Sequence, residues 1–259
     1  MPELPDLQVF SQNLDKKLSG KKLKKLTVVN DSKLNAPVNE FKKKLEKQEL
    51  KKVYREGKEL RFEFAEGDIL GMHLMLRGNL YLFEKTNKHT NTIIELLFDD
   101  DTGLALTDYQ GMAAPFLNPE EKKSPDALSK EVDYKFLKEQ LSGTGATIKN
   151  LLLNQKVIRG IGNAYADEIL WDARISPFSV CNKIPDTKIK ALAKSIQKVL
   201  LEAEKQIQKT HPDIISGEIR DFLKIHNSKK RESPDGAAIQ QKTTSGRKTY
   251  YTDEQELFE

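Results

Sequence analysis

Apolar side chains recur along the chain with two different periods, and the change of period divides it in two. Apolar positions that begin with Leu7 and Phe10 recur at helical spacing and predict an amphipathic helix over about Asp6–Leu18. Short segments in which apolar and polar residues alternate follow, and they predict antiparallel strands. These segments are Leu23–Val29, Leu60–Phe64, Ile69–Leu76, Asn79–Phe83, Thr92–Phe98 and Gly103–Thr107. One helix near Val38–Gln48 interrupts them, so the first half predicts a β-sandwich or a barrel-like pair of sheets.

The second half of the chain has helical periodicity. The segment Asn118–Asp126 is rich in proline and charged residues and predicts a linker. Apolar positions from Ile189 to Ile207 then predict a long amphipathic helix whose apolar stripe belongs to a core. Near the C-terminus, Ala237–Gln241 and Lys248–Tyr251 predict a short hairpin joined at Thr244-Ser245-Gly246. The order predicts an α+β fold in three domains: residues 1–126, β-rich with the first helix, residues 127–226, helical, and residues 227–259, the hairpin.

Composition limits the classes of protein to which the chain can belong. Its 259 residues are 37% hydrophobic and 32% charged, which leaves room for a substantial core. No run of about 18 apolar residues occurs, which excludes a membrane-spanning helix. No signal-peptide pattern opens the chain, so we expect the protein to stay where it is made, in the cytoplasm with the nucleoid if the source is bacterial. The only cysteine, Cys181, excludes an internal disulfide and a cysteine-rich zinc cluster, so we expect no metal.

Positive charge is concentrated near the C-terminus. The whole chain has a net charge of +4, whereas the segment Lys224–Tyr250 alone contains seven basic and two acidic residues. A segment of this kind suits contact with a phosphate backbone. A solvated, disordered tail explains the same composition at least as well, so charge alone leaves both interpretations open.

The N-terminus offers a nucleophile. Pro2 follows the initiator Met1, and aminopeptidases remove methionine before a small residue, so we expect the nitrogen of Pro2 to become a free secondary amine. Such an amine attacks an aldehyde-level carbon, for example C1′ of a damaged nucleotide, and the resulting iminium ion draws electrons for β-elimination. Glu3 stands next to it as a general acid or base. Many proteins begin with Met-Pro, however, so the dipeptide by itself is a weak motif.

Two longer motifs give the dipeptide a context. The residues Pro2-Glu3-Leu4-Pro5-Asp6 resemble the N-terminal signature of the formamidopyrimidine-DNA glycosylase/endonuclease VIII family. The segment Asn154–Glu168, NQKVIRGIGNAYADE, is similar to the helix–two-turns–helix motif of that family, and the similarity continues through Ala173–Pro177. This second match is long and specific. The resemblance spans nearly the whole chain and is weakest between Thr86 and Asp133.

The second motif also makes physical sense as a phosphate site. Gly160 and Gly162 permit a tight turn and a close approach of the backbone to a phosphate. Asn163 stands at the start of the next helix, where a short amide caps well and N–H groups attract an anion. Lys149, just ahead of the motif, is a weaker candidate for contact with DNA.

The resemblance extends to one further lysine and to the C-terminal hairpin. Lys58, in the sequence REGKEL, is similar to the β-turn lysine that contacts phosphate and assists base removal in the family. The segment SGRKTYY resembles the arginine hairpin of the family's zinc finger, with Thr252 and Gln255 where the last two cysteines would stand. This pattern resembles the zincless-finger branch, whose hairpin keeps its shape without metal. Arg247 would then contact phosphate through its planar guanidinium.

Two loops are similar to those that fill the hole left by a flipped base. The first, HLMLRG, places Leu76 where the family usually carries methionine. The second, DYQGM, places Gln110 and Met112 where formamidopyrimidine glycosylases typically carry arginine and phenylalanine. Gln110 could hydrogen-bond an orphaned base, and Met112 is a softer wedge. Asp6 also departs from the family, which usually has glutamate there.

The resemblance implies a bifunctional DNA glycosylase and abasic-site lyase of base excision repair that removes oxidised bases. It would act as a monomer without a cofactor on double-stranded DNA with oxidised bases or abasic sites, in a cleft between the two larger parts. Pro2 would form the Schiff base with Glu3 and Lys58 in support, and β-elimination, extended to β,δ-elimination, would nick the strand. The alternative is a non-catalytic protein that binds damaged DNA on the same scaffold. An RNA-binding protein would leave Pro2 and Glu3 without a role.

Overall fold

The computed structural model of the chain describes residues 1–244 and 246–259, which divide into two compact units. Unit 1 comprises Met1–Glu121 and Ile207–Glu218, and unit 2 comprises Lys122–Gln206 and Ile219–Glu259. Among the described residues, no helix is both long enough and apolar enough to cross a membrane. The finer division into three domains, with boundaries after residues 126 and 226, stays a prediction.

Unit 1 is a sandwich of two antiparallel sheets with a helix against one of them. Its elements are α1 (Leu4–Leu18), β1 (Leu23–Val28), α2 (Val38–Leu45), β2 (Leu50–Glu56), β3 (Glu59–Phe64), β4 (Ile69–His73), β5 (Asn79–Glu84), β6 (Thr92–Phe98), β7 (Thr102–Thr107) and β8 (Ala114–Leu117). The strand orders are β1-β6-β7-β5 and β2-β3-β4-β8, and helix α1 lies against β2 and β3. The antiparallel registers bring the β2–β3, β4–β5 and β7–β8 loops to one end of the sandwich.

The core of unit 1 follows the predicted alternation. In β3, Leu60, Phe62 and Phe64 share one face of the strand and are fully buried. Arg61 lies on the other face and is also buried, and its guanidinium forms an ion pair with Glu56 at 2.6 Å. A buried cation needs such a partner, because it has left its water of hydration behind. The apolar stripe of α1 belongs to the same core cluster.

The sequence pattern did not predict strands β2 and β8. Both are edge strands of the second sheet. Strand β2 buries only Leu50 and Val53, and the two residues between them are exposed. Strand β8 is four residues long and contains Pro115, which cannot donate a hydrogen bond to a neighbouring strand. Neither segment shows alternation of apolar and polar residues over its whole length, so the apolar pattern does not predict it.

Unit 2 consists of helices followed by a hairpin. Its elements are α3 (Tyr134–Ser142), α4 (Ile148–Leu153), α5 (Asn163–Asp172), the long helix α6 (Asp186–Thr210), which continues past the unit boundary, β9 (Gln240–Thr244) and β10 (Arg247–Tyr251). The first hairpin strand is Gln240–Thr244, so the prediction of Ala237–Gln241 is wrong for residues 237–239. The carbonyl of Ala237 instead closes a tight turn by accepting the N–H of Ser233 at 2.8 Å. Ser245, in the predicted hairpin turn, lies outside the described residues. The predicted α+β fold class is confirmed.

Replacement of Leu14 tests the role of α1 in the core. Leu14 is fully buried in the core cluster. Leu14→Ala leaves a cavity, so we expect the free energy of unfolding to fall by about 2–5 kcal/mol. The control Lys16→Ala, at an exposed position of the same helix, should change it by less than about 0.5 kcal/mol. Urea titration followed by circular dichroism measures both variants, and equal stabilities would contradict the core assignment.

Candidate active site and nucleic-acid interface

The N-terminal residues run directly into the first helix. Pro2 is buried, and α1 begins two residues later at Leu4, with Pro5 in its first turn. The ammonium group of Met1 forms an ion pair with the carboxylate of Glu218. Proline in the first turn has a fixed φ that suits the start of a helix. The backbone of Pro2 therefore has little freedom, and removal of Met1 would leave its nitrogen at a defined place.

Glu3 and Asp6 hold each other in a capping box at the start of α1. The Glu3 side chain accepts a hydrogen bond from the backbone N–H of Asp6, and the Asp6 carboxylate accepts the N–H of Glu3 at 2.9 Å. Both side chains are buried. This reciprocal arrangement satisfies two backbone donors that the start of a helix leaves without an intrahelical partner. The aspartate at position 6, shorter than the glutamate usual in the family, is therefore long enough to close the box.

Lys58 occupies the tight turn between β2 and β3 and is half-buried. Gly57, just before it, has a φ of +59°, in the left-handed region that favours glycine. The carbonyl of Gly57 accepts a hydrogen bond from the Arg55 guanidinium at 3.1 Å. The turn that presents Lys58 is thus fixed from within unit 1.

Hydrogen bonds place the start of α1 near this turn. The backbone N–H of Val53 donates to Asp15 Oδ1 at 2.7 Å, and farther along β2, Arg55 Nε donates to Gln8 Oε1 at 2.9 Å. Because the contacts advance along β2 while they go back along α1, the two elements run antiparallel. The start of α1, with the candidate nucleophile before it, therefore lies at the end of unit 1 that carries Lys58.

Leu76 lies in the β4–β5 loop with 63% of its surface exposed. The loop is braced internally, because His73 Nδ1 accepts the N–H of Met75 at 3.0 Å and the N–H of Gly78 donates to the carbonyl of Leu74 at 2.8 Å. A Cβ on Gly78 would lie 2.3 Å from that carbonyl oxygen, so glycine is required for the loop to close. The loop presents Leu76 from a fixed backbone.

Asp108 organises the β7–β8 loop. Its buried carboxylate accepts the backbone N–H groups of Gln110, Met112 and Ala113 at 2.8–2.9 Å. The side chains of Gln110 and Met112 are exposed on this loop. Tyr109 beside them is 63% exposed. A carboxylate that accepts three N–H groups fixes the loop before any ligand binds.

The two loops meet at their bases. A Cβ on Gly78 would lie 3.0 Å from the Cβ of Ala113, and His73 pairs with Ala114 across β4 and β8. The predicted void-filling side chains of both loops are thus gathered at one end of unit 1. The same end carries the β2–β3 turn.

In unit 2, the chain between α4 and α5 forms tight turns. The Gln155 side chain accepts the N–H of Gly160 at 2.9 Å, and Gly160 has a φ of +105°. Helix α5 begins at Asn163, and its N-cap residue is Gly162. The expected capping role of Asn163 is therefore wrong, because Asn163 stands one position inside the helix. Its Nδ2 instead donates to the carbonyl of Lys248 at 2.8 Å.

Strand β10 brings Arg247 to the same surface of unit 2. Arg247 and Lys248 are both exposed, and the backbone of Lys248 is bonded to Asn163. Two cationic side chains are therefore grouped near the N-terminus of α5, where the helix dipole favours an anion. The structure thus brings Asn163 and Arg247 together, 84 residues apart in the sequence.

Lys149 and Asp167 form the centre of a buried charge network beneath the hairpin. The fully buried Asp167 carboxylate lies 2.7 Å from Lys149 Nζ and 2.7 Å from His226 Nδ1. It also accepts the N–H of Tyr250 at 2.9 Å. Lys149 is 5% exposed and donates to Thr249 Oγ1 at 2.8 Å. The network links α4, α5 and β10, and contact of Lys149 with DNA stays a prediction.

A second carboxylate ties the end of the chain to α5. Glu254 accepts hydrogen bonds from Trp171 Nε1 at 2.9 Å and from Arg174 at 2.6 Å. Burial raises the pKa of Glu254, but hydrogen bonds outweigh burial and lower the pKa to about 2. Gln255 accepts the N–H of Thr252 at 2.9 Å. The two residues at the predicted cysteine positions thus hold this segment through a hydrogen bond.

Metal ligands are not grouped in the part of the chain that the structure describes. No three His, Cys, Asp or Glu side chains there could hold a metal ion together. Cys181 is buried, and burial raises the pKa of its thiol to about 11. The thiol is therefore protonated at neutral pH and unreactive.

Two family models match the chain. The model described as Formamidopyrimidine-DNA glycosylase N-terminal domain matches residues 1–114, and the model described as Formamidopyrimidine-DNA glycosylase H2TH domain matches residues 124–213. The formamidopyrimidine-DNA glycosylase of Pelotomaculum thermopropionicum is 30% identical over 97% of this chain and 97% of its own. That of Carboxydothermus hydrogenoformans is 32% identical over 77% of this chain and 76% of its own.

Solved structures share the fold. Lactococcus lactis Fpg, in a complex with DNA that contains an abasic site, has a TM-score of 0.88 at 25% identity and covers 98% of this chain and 100% of its own. MutM, in a complex with DNA that contains carbocyclic 8-oxo-G, has the same score and coverage at 26% identity. The fold and the matches define a DNA glycosylase with a helix–two-turns–helix domain.

The chain belongs to the formamidopyrimidine-DNA glycosylase family. The predicted enzyme, a DNA glycosylase and abasic-site lyase of base excision repair that removes oxidised bases, is confirmed.

Sequence reasoning did not single out several of the residues described above, among them Tyr109, Asp167, Glu218 and His226. Asp167 offered a signal together with its neighbour Glu168, because carboxylates among the apolar residues of a helix require partners where they are buried. Glu218 and His226 offered none, since their partners lie 217 and 59 residues away in the sequence.

Replacement of Asp6 tests the capping box. Asp6→Ala leaves the buried N–H of Glu3 without its acceptor, so we expect the free energy of unfolding to fall by about 1–2 kcal/mol. Asp6→Asn keeps an oxygen acceptor and should recover part of the loss. Asp31→Ala, at an exposed position, is the control and should be nearly neutral. If Asp6→Ala and Asp31→Ala have the same urea midpoint, the box does not stabilise the N-terminus.

Proposed function

We propose that Pro2, freed by removal of Met1, is the nucleophile of both reactions. Its nitrogen attacks C1′ of the flipped nucleotide and loses its proton, and the damaged base leaves with the electrons of its bond to C1′. The bond from C1′ to the ring oxygen O4′ then breaks, O4′ takes up a proton, and an iminium ion joins the chain to the opened sugar. Loss of a C2′ proton then expels the 3′ phosphate, and a second elimination expels the 5′ phosphate. The burial of Pro2 directly before a capped helix supports this role, as does the match of residues 1–114 to the family's N-terminal domain.

Glu3 and Lys58 assist from either side of the sugar. The capping box fixes the backbone of Glu3, so its carboxyl group is placed to move the proton that opens the deoxyribose ring. Lys58 supplies a positive charge to the phosphate next to the lesion, from a turn that Gly57 shapes and Arg55 braces. Their common position at one end of unit 1 supports a joint role with Pro2.

Leu76, Gln110 and Met112 fill the hole that the flipped nucleotide leaves. Leu76 and Met112 present apolar surface, and the Gln110 amide carries both a donor and an acceptor for an orphaned base. Asp108 fixes the loop with Gln110 and Met112, so little ordering is needed when DNA binds. Tyr109 adds an exposed ring to the same loop, which suits stacking on a base.

Unit 2 holds the phosphate backbone of the damaged strand. Asn163 and Arg247 lie on one surface, and the guanidinium of Arg247 suits two phosphate oxygens at once. Asn163 Nδ2 donates to the carbonyl of Lys248 in this structure, so its contact with a phosphate requires that hydrogen bond to be exchanged. Lys149 supports this contact from below, since its ammonium group is paired with Asp167 and with Thr249 in β10.

The substrate that fits this arrangement is double-stranded DNA with an oxidised base or an abasic site. Side chains that fill a void and meet an orphaned base have a role only in a duplex. Lactococcus lactis Fpg in complex with abasic-site DNA and MutM in complex with 8-oxo-G-containing DNA support this class of substrate.

The hairpin of β9 and β10 belongs, in this proposal, to the zincless branch of the family. Thr252 and Gln255 bond to each other where the zinc-finger relatives would carry cysteines. Asp167 beneath the hairpin and Glu254 beyond it attach this region to α5 through charge-assisted hydrogen bonds. These contacts take the place of the folding energy that a structural zinc ion supplies.

Borohydride trapping on a duplex with one abasic site tests Pro2. The mature chain should form a covalent adduct, because hydride reduces the iminium ion to a stable amine. A chain with a short uncleaved N-terminal extension has an amide at the Pro2 nitrogen and should lose most of the adduct. Gel electrophoresis after reduction measures both.

Proteolytic removal of the extension back to Pro2 should restore trapping, and the same extension at the C-terminus should have no effect. Equal trapping with and without a free Pro2 would overturn the assignment. Tight binding of abasic DNA without any adduct from the mature chain would favour the non-catalytic binder.

Replacement of Asp167 tests the metal-free attachment of the hairpin. Asp167→Asn leaves the buried ammonium of Lys149 without its counter-ion, so we expect the free energy of unfolding to fall by about 3–5 kcal/mol. The double variant Lys149→Met/Asp167→Leu removes both charges and should be less destabilised than Asp167→Asn.

A chelator should leave the melting temperature and duplex affinity of the unaltered protein unchanged. A loss of either that zinc reverses would contradict the zincless assignment.

A further inference from the structure

Lysine is concentrated in one segment of unit 1. Residues 16–52 contain thirteen lysines, no arginine and four acidic residues. Their net charge of +9 exceeds the +4 of the whole chain, so the rest of the chain is net negative. A surface that merely keeps a domain in solution intersperses the two signs of charge. In residues 16–52, by contrast, basic residues outnumber acidic ones by thirteen to four.

The structure brings part of these lysines together where the two sheets have neighbouring edges. The N–H of Leu23 donates to the carbonyl of Gln48 at 2.8 Å, and the N–H of Lys47 donates to the carbonyl of Leu23 at 2.7 Å. The starts of the edge strands β1 and β2 therefore lie side by side, and α2 lies against β1. Five exposed side chains of this region are here called the lysine edge: Lys22, Lys25, Lys43, Lys47 and Lys51.

Acidic side chains pair with the neighbours of the lysine edge. Lys21 pairs with Asp100 at 2.7 Å and Lys24 with Asp101 at 3.1 Å. Within residues 1–244 and 246–259, no acidic side chain forms an ion pair with any of the five members of the lysine edge. Their charge is therefore available to a partner outside the unit.

The lysine edge lies at the far end of unit 1 from the candidate active site. Strand β2 runs seven residues from Leu50 beside the edge to the turn that holds Lys58, which is a distance of about 20 Å. Strand β1 also runs from the lysine edge toward the end of unit 1 that carries Lys58. It leads to Asn30, whose amide lies next to Gly111 in the β7–β8 loop. The few phosphates around a lesion held at that end do not reach the edge.

We propose that the lysine edge is a second contact surface for DNA, which holds undamaged duplex independently of its sequence. The proposal rests on the proposed function, because a DNA substrate supplies the polyanion. Lysine is a flexible, hydrated point charge, whereas arginine fixes a phosphate in one geometry. A surface with lysines and no arginine suits contacts that slide along a backbone.

Four substitutions to glutamine test the surface, Lys22→Gln, Lys25→Gln, Lys47→Gln and Lys51→Gln together. They remove charge at exposed positions and leave the core untouched. On an undamaged duplex of about 40 bp, the slope of log Kobs against log salt should become shallower by up to about 3.6, since each of the four phosphate contacts contributes about 0.9. The affinity at low salt should fall by about tenfold or more. Fluorescence anisotropy across a salt series measures both.

The control variant replaces four exposed lysines elsewhere, Lys183, Lys194, Lys205 and Lys209, by glutamine. It removes the same charge and should change the slope less. Trapping on a lesion-centred duplex of about 10 bp, which extends about 17 Å to either side, should be unaffected by the lysine-edge variant.

An unaltered slope in the lysine-edge variant, or an equal change in the control, would overturn the proposal. Loss of trapping in the variant alone would show that the edge belongs to the active site. Failure of the unaltered protein to trap would instead overturn the role of Pro2, which keeps the two proposals separable.

Discussion

A carboxylate without access to water, that of Asp167, sets the arrangement of unit 2. A fully buried negative charge persists only where cations and N–H groups surround it. Lys149 comes from α4, His226 from the segment after α6 and the N–H of Tyr250 from β10. These elements are distant in the sequence, and a single charge requires them to meet. The surface that carries Arg247 depends on that meeting.

Buried carboxylates organise unit 1 in the same way, with backbone N–H groups as their partners. Asp6 binds the N–H of Glu3 and fixes the segment that follows Pro2, the proposed nucleophile. Asp108 binds three N–H groups and fixes the loop that presents Gln110. In each case the buried carboxylate fixes the backbone of a neighbouring segment. The nitrogen of Pro2, proposed to react, and the side chain of Gln110, proposed to contact DNA, are not used for that purpose. The family's chemistry is thus placed on rigid supports.

Much of the fold was predictable, because the central strands and the long helix carry the periodicity of their buried faces. Strands β2 and β8 were not, because β2 lacks regular apolar alternation and β8 has only four residues, one of them Pro115. The motifs singled out Pro2 and Lys58 as candidate site residues, and the hydrogen bonds between α1 and β2 show that both lie at one end of unit 1. The cap at α5 was misassigned by one residue, because backbone geometry and not residue type decides where a helix starts.

The buried thiol of Cys181 has a consequence for the conditions under which the enzyme works. Oxidised bases accumulate when a cell is exposed to peroxide and related oxidants, and thiolates that bind zinc are among the groups such oxidants attack. Here the single thiol stays protonated, with its pKa raised to about 11. The hairpin is attached by carboxylates, amides and amines, which resist these oxidants. In the proposed function the hairpin contacts DNA, and Cys181, the only thiol in the sequence, lies outside that hairpin.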